Sequence, residues 1–328
     1  MDLHAEKDAF TDIISGTARY FNISEIYIEK DYWVTLLLYR LSQYEKKDRL
    51  IFKGGTALAK ASRIINRFSE DIDLAVLMPE ANGNQIKTFM RHAETAITTD
   101  LIALPGYSGE SKGSVFRKTY YRYPQEFQGD FAQASQVILL EINAFNKPEP
   151  VYPLPVCALI TDFLKLHDQQ PLIDKYHLDR FILFTLGIER TLTEKLVALI
   201  KAARSPDALM QLTIKIRHFY DICMILRHAD YSIPLYDLTL LPLLQSVVDA
   251  DRQQFTNAGN WFNEPLDTIP LFCQPEKYWP ALNSAFRQSF ALMVFDNELP
   301  DDKEVIAALN AIQRLLTHYQ LQAGMRQA

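Results

Sequence analysis

Residues 50–76 constrain this chain more than any other stretch. Leu50-Ile51-Phe52 is a short apolar run, Gly54-Gly55 breaks it, and residues 56–65 follow with helical composition, placing Leu58, Ser62 and Ile65 on one side. A strand, a glycine pair and a helix with Thr56 near its N-cap leave free backbone N–H groups and the positive helix end for any anion lying there, and a triphosphate suits that description. Further on, Asp71-Ile72-Asp73-Leu74-Ala75-Val76 alternates acid with aliphatic, as a half-buried strand does. Residues i and i+2 of a strand leave the same face, so Asp71 and Asp73 project together, their Cα atoms roughly 6.5 Å apart at ~3.3 Å per residue. Two hard oxygen ligands are thereby offered to one Mg²⁺. Taken singly, the glycine pair reads as a tight turn and the two acids as a solvated strand face. Their order, with room for one helix between them, gives them chemical meaning.

A chain of 328 residues buries a substantial core and forms one large domain or two. Hydrophobic content of 48% with 12% aromatics excludes a largely disordered protein. No run approaches the ~20 apolar residues of a membrane span, and the charged start, Met1 to Asp8, lacks the apolar segment of a signal peptide. The expected setting is cytoplasmic, without a membrane partner. Cys157, Cys223 and Cys273 lie far apart and form no Cys-x-x-Cys, which argues against a disulfide framework or a zinc site. His218, Cys223 and His228, in steps of five, diverge by about 140° per step around a helix.

The net charge of −6 excludes a protein whose whole surface binds nucleic acid. Residues 229–328 hold 12 acidic and 6 basic side chains, which accounts for all of it. Residues 190–228 instead hold seven Lys and Arg against Glu194, Asp207 and Asp221. This is either a local basic zone for a triphosphate or an RNA end, or a set of solvated helix faces.

The first ~45 residues read as helices, with apolar residues at helical spacing. A helix is expected at 83–99, and two strand-like runs, 114–123 and 136–145, form an antiparallel pair. Glu141 interrupts the second run, and a carboxylate there needs a cation. Pro148, Pro150, Pro153 and Pro155 cannot continue a central strand or a helix, so the main boundary is expected near residue 155. A short strand at 181–186 follows, and Thr191-Leu192-Thr193-Glu194 has capping-box spacing that would launch a helix at 192–203. Residues from 209 on read as helices, irregular around 255–280, with an amphipathic helix at 302–322.

The strings Gly54-Gly55-Thr56 and Arg67-Phe68-Ser69-Glu70-Asp71-Ile72-Asp73-Leu74 resemble the signature of DNA polymerase β-type nucleotidyltransferases, and more closely that of the AbiEii/AbiGii-type nucleotidyltransferase toxins. Glu29-Lys30-Asp31-Tyr32-Trp33 resembles that family's N-terminal pattern, its charges better read as structural than catalytic. Glu194-Lys195-Leu196 resembles the Glu-Lys-Leu motif, and Arg217 to Ile222 the Arg-Asp-x-x-Asp motif, with His218 in place of the usual first acid.

The resemblance implies an α+β fold. A nucleotidyltransferase core at 1–155, with a small mixed sheet flanked by helices, would precede a mainly helical domain at 156–328 that contributes to the active site. It implies transfer of a nucleoside monophosphate from an NTP to RNA, tRNA acceptor ends first, by a toxin with a cognate antitoxin. Mg²⁺ or Mn²⁺ would be held by Asp71, Asp73 and a third acid, for which Glu141 is the candidate; a salt bridge to Arg117, Lys118 or Arg122 is the competing reading. Gly54, Gly55, Thr56 and Ser69 would serve the nucleotide. Lys195 would neutralise the triphosphate, and Asp221 would orient Lys195, serve the base or ribose, or simply pair with Arg217. Nucleotidylation of a small molecule or protein hydroxyl, and an inactive nucleotide-binding module, are the alternatives.

Overall fold

One face of a mixed sheet carries much of the core of the first compact unit, and a smaller cluster of Ile51, Ala75 and Leu186 is buried on the other. The computed structural model describes residues 1–129, 135–254, 261–262, 264–295 and 299–327. Two compact units result, Met1–Arg63 with Phe68–Leu186, and Ile64–Arg67 with Gly187–Ala328. The division falls after Leu186, and the proline-rich stretch near residue 155 stays inside the first unit.

The first unit runs α1 (Lys7–Phe21), α2 (Glu25–Gln43), β1 (Leu50–Lys53), α3 (Gly54–Lys60), β2 (Ile72–Val76) and α4 (Gly83–Ile97). It continues with β3 (Ile102–Ala103), β4 (Ser111–Lys112), β5 (Phe116–Arg122), β6 (Ile138–Asn143), β7 (Val151–Val156), α5 (Leu159–Leu166), α6 (Gln170–Lys175) and β8 (Phe181–Leu186). The sheet order is β3-β5-β6-β2-β1-β8-β7, with β4 also paired to β5. β2 with β6 and β1 with β8 are parallel, and the other pairings are antiparallel. The class is α+β as expected, with a larger sheet of eight strands.

Phe52, Ile72, Leu74, Leu140 and Ile142 are all buried on one face of the three central strands. Lys53, Asp73 and Glu141, their neighbours in sequence, are half-buried on the other. The prolines fit because β7 is an edge strand, where a missing N–H breaks no ladder. α3 begins at Gly54 with Lys53 in the N-cap position and stops at Lys60. Thr56 is therefore inside the helix, and the expected continuation to residue 65 ends as Arg63 turns to a positive φ of 54°.

Helix α2 is apolar on every side, so it must lie inside, and its charges need partners there. Lys30, fully buried, donates to Glu70 Oε2 at 2.5 Å and to the Val137 carbonyl at 2.9 Å. Asp31 accepts from Lys60 Nζ at 2.5 Å and from the Leu159 amide at 2.8 Å. Glu29 accepts from the amides of Glu126 and Phe127. These charges hold segments together, as the sequence suggested.

The second unit is helical: α7 (Ile188–Ala203), α8 (Ala208–Ile214), α9 (Ile216–Leu226), α10 (Ala229–Tyr236), α11 (Leu241–Gln254), short turns from 266 to 293, and a C-terminal helix Asp302–Gln327. α7 starts a turn before the expected capping box, with Gly187 as N-cap. The apolar stripe Ile188, Leu192, Leu196, Leu199 reaches that far up, so Thr191 is interior and Glu194 pairs with Arg190 instead. The irregular stretch expected near 255–280 falls partly outside the described residues.

Replacing Lys30 with Met should leave Glu70 buried beside no cation and lower stability by about 3–5 kcal/mol. Adding Glu70→Leu to Lys30→Met should recover part of that loss. Urea unfolding midpoints measure both, and a single variant as stable as the parent would refute the clamp.

Candidate active site

Three consecutive residues of the turn, Lys53, Gly54 and Gly55, leave β1 for α3, and the register of the sheet decides what stands beside them. Lys53 pairs with Asp73 on β2, Asp73 with Glu141 on β6, and Glu141 with Lys118 on β5. Cross-strand partners share a face at about 4.8 Å between strands, so a row of cation, acid, acid and cation crosses four strands. All four side chains are half-buried.

Asp73 turns toward the glycine elbow. A Cβ placed on Gly54 would lie 2.1 Å from Asp73 Oδ2, and Gly54 has φ +76°. Both the space and the backbone angle demand glycine there. α3 has only seven residues, so its dipole is small. The chief gift of Gly54 is the cradle in which the Asp73 carboxylate sits.

Asp71 lies one residue ahead of β2 and is half-buried. Its carbonyl accepts the Thr56 hydroxyl at 2.5 Å, and that hydroxyl also meets Ser69 Oγ at 3.0 Å. Thr56, fully buried, thus ties α3 to the segment that carries the acids, while Ser69 remains half-exposed. Of the cations considered for Glu141, Arg117 points to the opposite face and pairs with the buried Glu94. Glu94 also accepts from the Tyr121 hydroxyl at 2.6 Å.

Among the described residues no three His, Cys, Asp or Glu converge closely enough to enclose a metal ion by themselves. Mg²⁺ asks for less, since it keeps several waters and is commonly held by one or two carboxylates together with substrate phosphates. The hard oxygens of Asp73, cradled by Gly54, and of Glu141, its neighbour in register, fit that requirement.

In the second unit, Asp221 is fully buried and accepts Arg67 through two bonds, Nε to Oδ1 at 2.7 Å and Nη2 to Oδ2 at 2.8 Å. Lys195 Nζ donates to the same carboxylate at 2.6 Å. Burial pushes the Asp221 carboxyl up, but Arg67 and Lys195 outweigh it and hold it well below the usual carboxylate range. Asp221 is thus paired with Lys195, and its second partner is Arg67 rather than Arg217. That partner was missed: no periodicity links positions 154 residues apart. His218, where the family pattern has an acid, is driven well below its ordinary pKa by burial and by Lys195, so it is neutral. Arg67 and Lys195 thus share the Asp221 carboxylate.

The remaining basic zone is mostly neutralised within its own unit. Lys201 pairs with Asp251 at 2.9 Å, Arg227 with Glu304 at 2.8 Å, and Arg204 with Glu264. Most of its cations are thus committed to carboxylates. No helix among the described residues is long and apolar enough to cross a membrane.

Comparison with known proteins follows the same lines. Residues 36–307 match the family described as nucleotidyl transferase AbiEii toxin, type IV TA system. Among solved structures, the nucleotidyltransferase toxin MenT4 from Mycobacterium tuberculosis H37Rv is similar in fold, with a TM-score of 0.51 at 16% identity, over 93% of this chain and 97% of that one. A comparison with curated proteins gives no match. With the family pattern spanning most of its length, the chain belongs to the AbiEii nucleotidyltransferase toxins of type IV toxin–antitoxin systems.

Proposed function

We propose that this chain moves a nucleoside monophosphate from an NTP to a hydroxyl of RNA, a tRNA acceptor end being the foremost candidate, at the sheet face carrying Asp73 and Glu141. The observation that carries the reading is the Asp73 carboxylate seated against Gly54 with Glu141 as its cross-strand neighbour. Attack on an α-phosphate spreads charge over the phosphoryl oxygens and the leaving pyrophosphate, so the protein's task is positioning and charge placement. Asp73 and Glu141, with Asp71, would hold Mg²⁺ or Mn²⁺, which when bound would lower the pKa of the acceptor hydroxyl and offset the charge of the leaving group. Gly54 and Gly55 let the backbone approach the phosphates, with Thr56 and Ser69 shaping that turn. Lys53, at the strand end beside Asp73, offers a point charge to the same phosphates.

Lys195 and Asp221 enter the proposal through the family motifs they match. As a toxin of this class the chain would arrest growth by such transfer, with a cognate antitoxin to reverse it.

Purified protein given α-labelled NTPs and Mg²⁺ or Mn²⁺ should label RNA rather than protein or small acceptors, and chelation should stop it. Label confined to protein or a small acceptor would overturn the RNA assignment. Asp73→Asn and Glu141→Gln should each lower the rate by about 10²–10³-fold or more with little change in unfolding midpoint; rates within a few-fold of the parent would remove the acids from the chemistry. Gly54→Ala should cost about 1–2 kcal/mol of stability from its left-handed backbone alone and displace Asp73, so the surviving folded enzyme should also lose activity. Lys195→Met should raise KM for the NTP more than Lys195→Arg does, whereas a purely structural lysine would change stability alone.

A further inference from the structure

The outward face of β5 continues the acid row with a different chemistry. Phe116, Lys118, Tyr120 and Arg122 alternate with the buried Arg117, Thr119 and Tyr121, so they share the face on which Lys118 stands next to Glu141. Aromatic and cation thus succeed each other every second residue. Lys118 and Arg122 lie about 13 Å apart at ~3.3 Å per residue. Tyr107 lies over Tyr120, ring centroids 4.4 Å apart and tilted by 31°, and keeps 41% of its own surface exposed.

The two cations differ from the ion-paired ones of their unit. Lys30, Lys60, Arg63 and Arg117 each hold a carboxylate. Among the described residues neither Lys118 nor Arg122 has an ion-pair partner, although Lys118 is half-buried and stands in register with an acid. A cation kept partly out of water that makes no ion pair can take an anion from outside.

From this face we infer that β5 is the docking ribbon for a single-stranded polynucleotide, laid so that its terminal hydroxyl reaches Asp73 and Glu141. The inference rests on the transfer reading above and names the form of its acceptor. Cations interleaved with aromatic rings are what a single strand needs, because phosphates take the former and every base has a face for the latter. A duplex hides those faces in its own stack, and a folded protein acceptor has no use for the alternation.

Binding is tested without turnover, with a fluorescein-labelled 12-nucleotide oligo-U RNA and the full chain carrying Asp73→Asn, read by anisotropy. Tyr107→Ala should weaken binding about tenfold, and Tyr107→Trp should restore it. Lys118→Gln and Arg122→Gln should each lower affinity and reduce the slope of log K against log salt by about 0.7. NTP binding should be unchanged in the Tyr107 and Arg122 variants, which lie outside the acid row. Affinity for the single strand unaltered by all three substitutions, or a blunt duplex of equal length bound as tightly, would overturn the ribbon. If the oligonucleotide binds and the substitutions weaken it while no nucleotide is ever transferred, the transfer reading fails and the ribbon stands. If label enters RNA and the substitutions change nothing, the reverse holds.

Discussion

A carboxylate without water must have a cation, and the pairing of Glu70 with Lys30 meets that demand where the first unit needs it most. Glu70 immediately precedes Asp71, and its partner projects from a helix that is buried on nearly every side. The same carboxylate accepts the Ser135 amide at 2.9 Å, and Lys30 also holds the Val137 carbonyl, just ahead of β6. One ion pair therefore fixes the approaches to both strands that bear the acids, β2 and β6. Their parallel register, Asp73 beside Glu141, depends on those approaches. Buried pairs of this kind add little net stability over an apolar core, yet losing one partner is costly. Their value is in leaving the chain a single register.

The cradle at Gly54 works by subtraction. Any other residue would place a carbon where the Asp73 carboxylate sits, and would also have to accept a left-handed backbone. The second unit solves a related problem by addition, gathering Arg67 and Lys195 around Asp221. The depressed pKa of Asp221 means that its contribution is complete above the unfolded carboxylate range and disappears only in strong acid. His218 stays neutral beside it. An acid there, as the family pattern has, would add a negative charge beside Lys195 that the neutral imidazole does not supply.

How much of this could be read in the sequence depends on the distance over which each interaction acts. The strand pair around Glu141, the short strand before the helical part and the glycine elbow all come from local alternation and turn chemistry, which a single sequence displays. Helix ends were harder. α3 ends early because the chain must turn back toward β2, and α7 starts early because its apolar stripe does, so neither obeys its local cap signal. The tether from Thr56 to Asp71 and the link from Arg67 to Asp221 join residues with no periodic relation, and only folding reveals them. The paired acids were legible as a motif, but which neighbour stood beside Asp73 was a matter of register, which alternation alone leaves open.

Net charge is a poor guide to what such a protein can bind. At physiological salt a charge is felt over about 8 Å, so a polyanion meets the local surface and not the sum over the chain. The excess acid lies in residues 229–328, whereas the elbow, the acid pair and β5 all belong to the first unit. Within that unit most cations are tied to carboxylates, and the basic stretch at 190–228 is likewise largely neutralised by its own neighbours. Electrostatic attraction for an incoming strand then comes from cations not so committed, Lys118 and Arg122 on β5 among them, each two residues from an aromatic ring, and that spacing is what an acceptor would have to match.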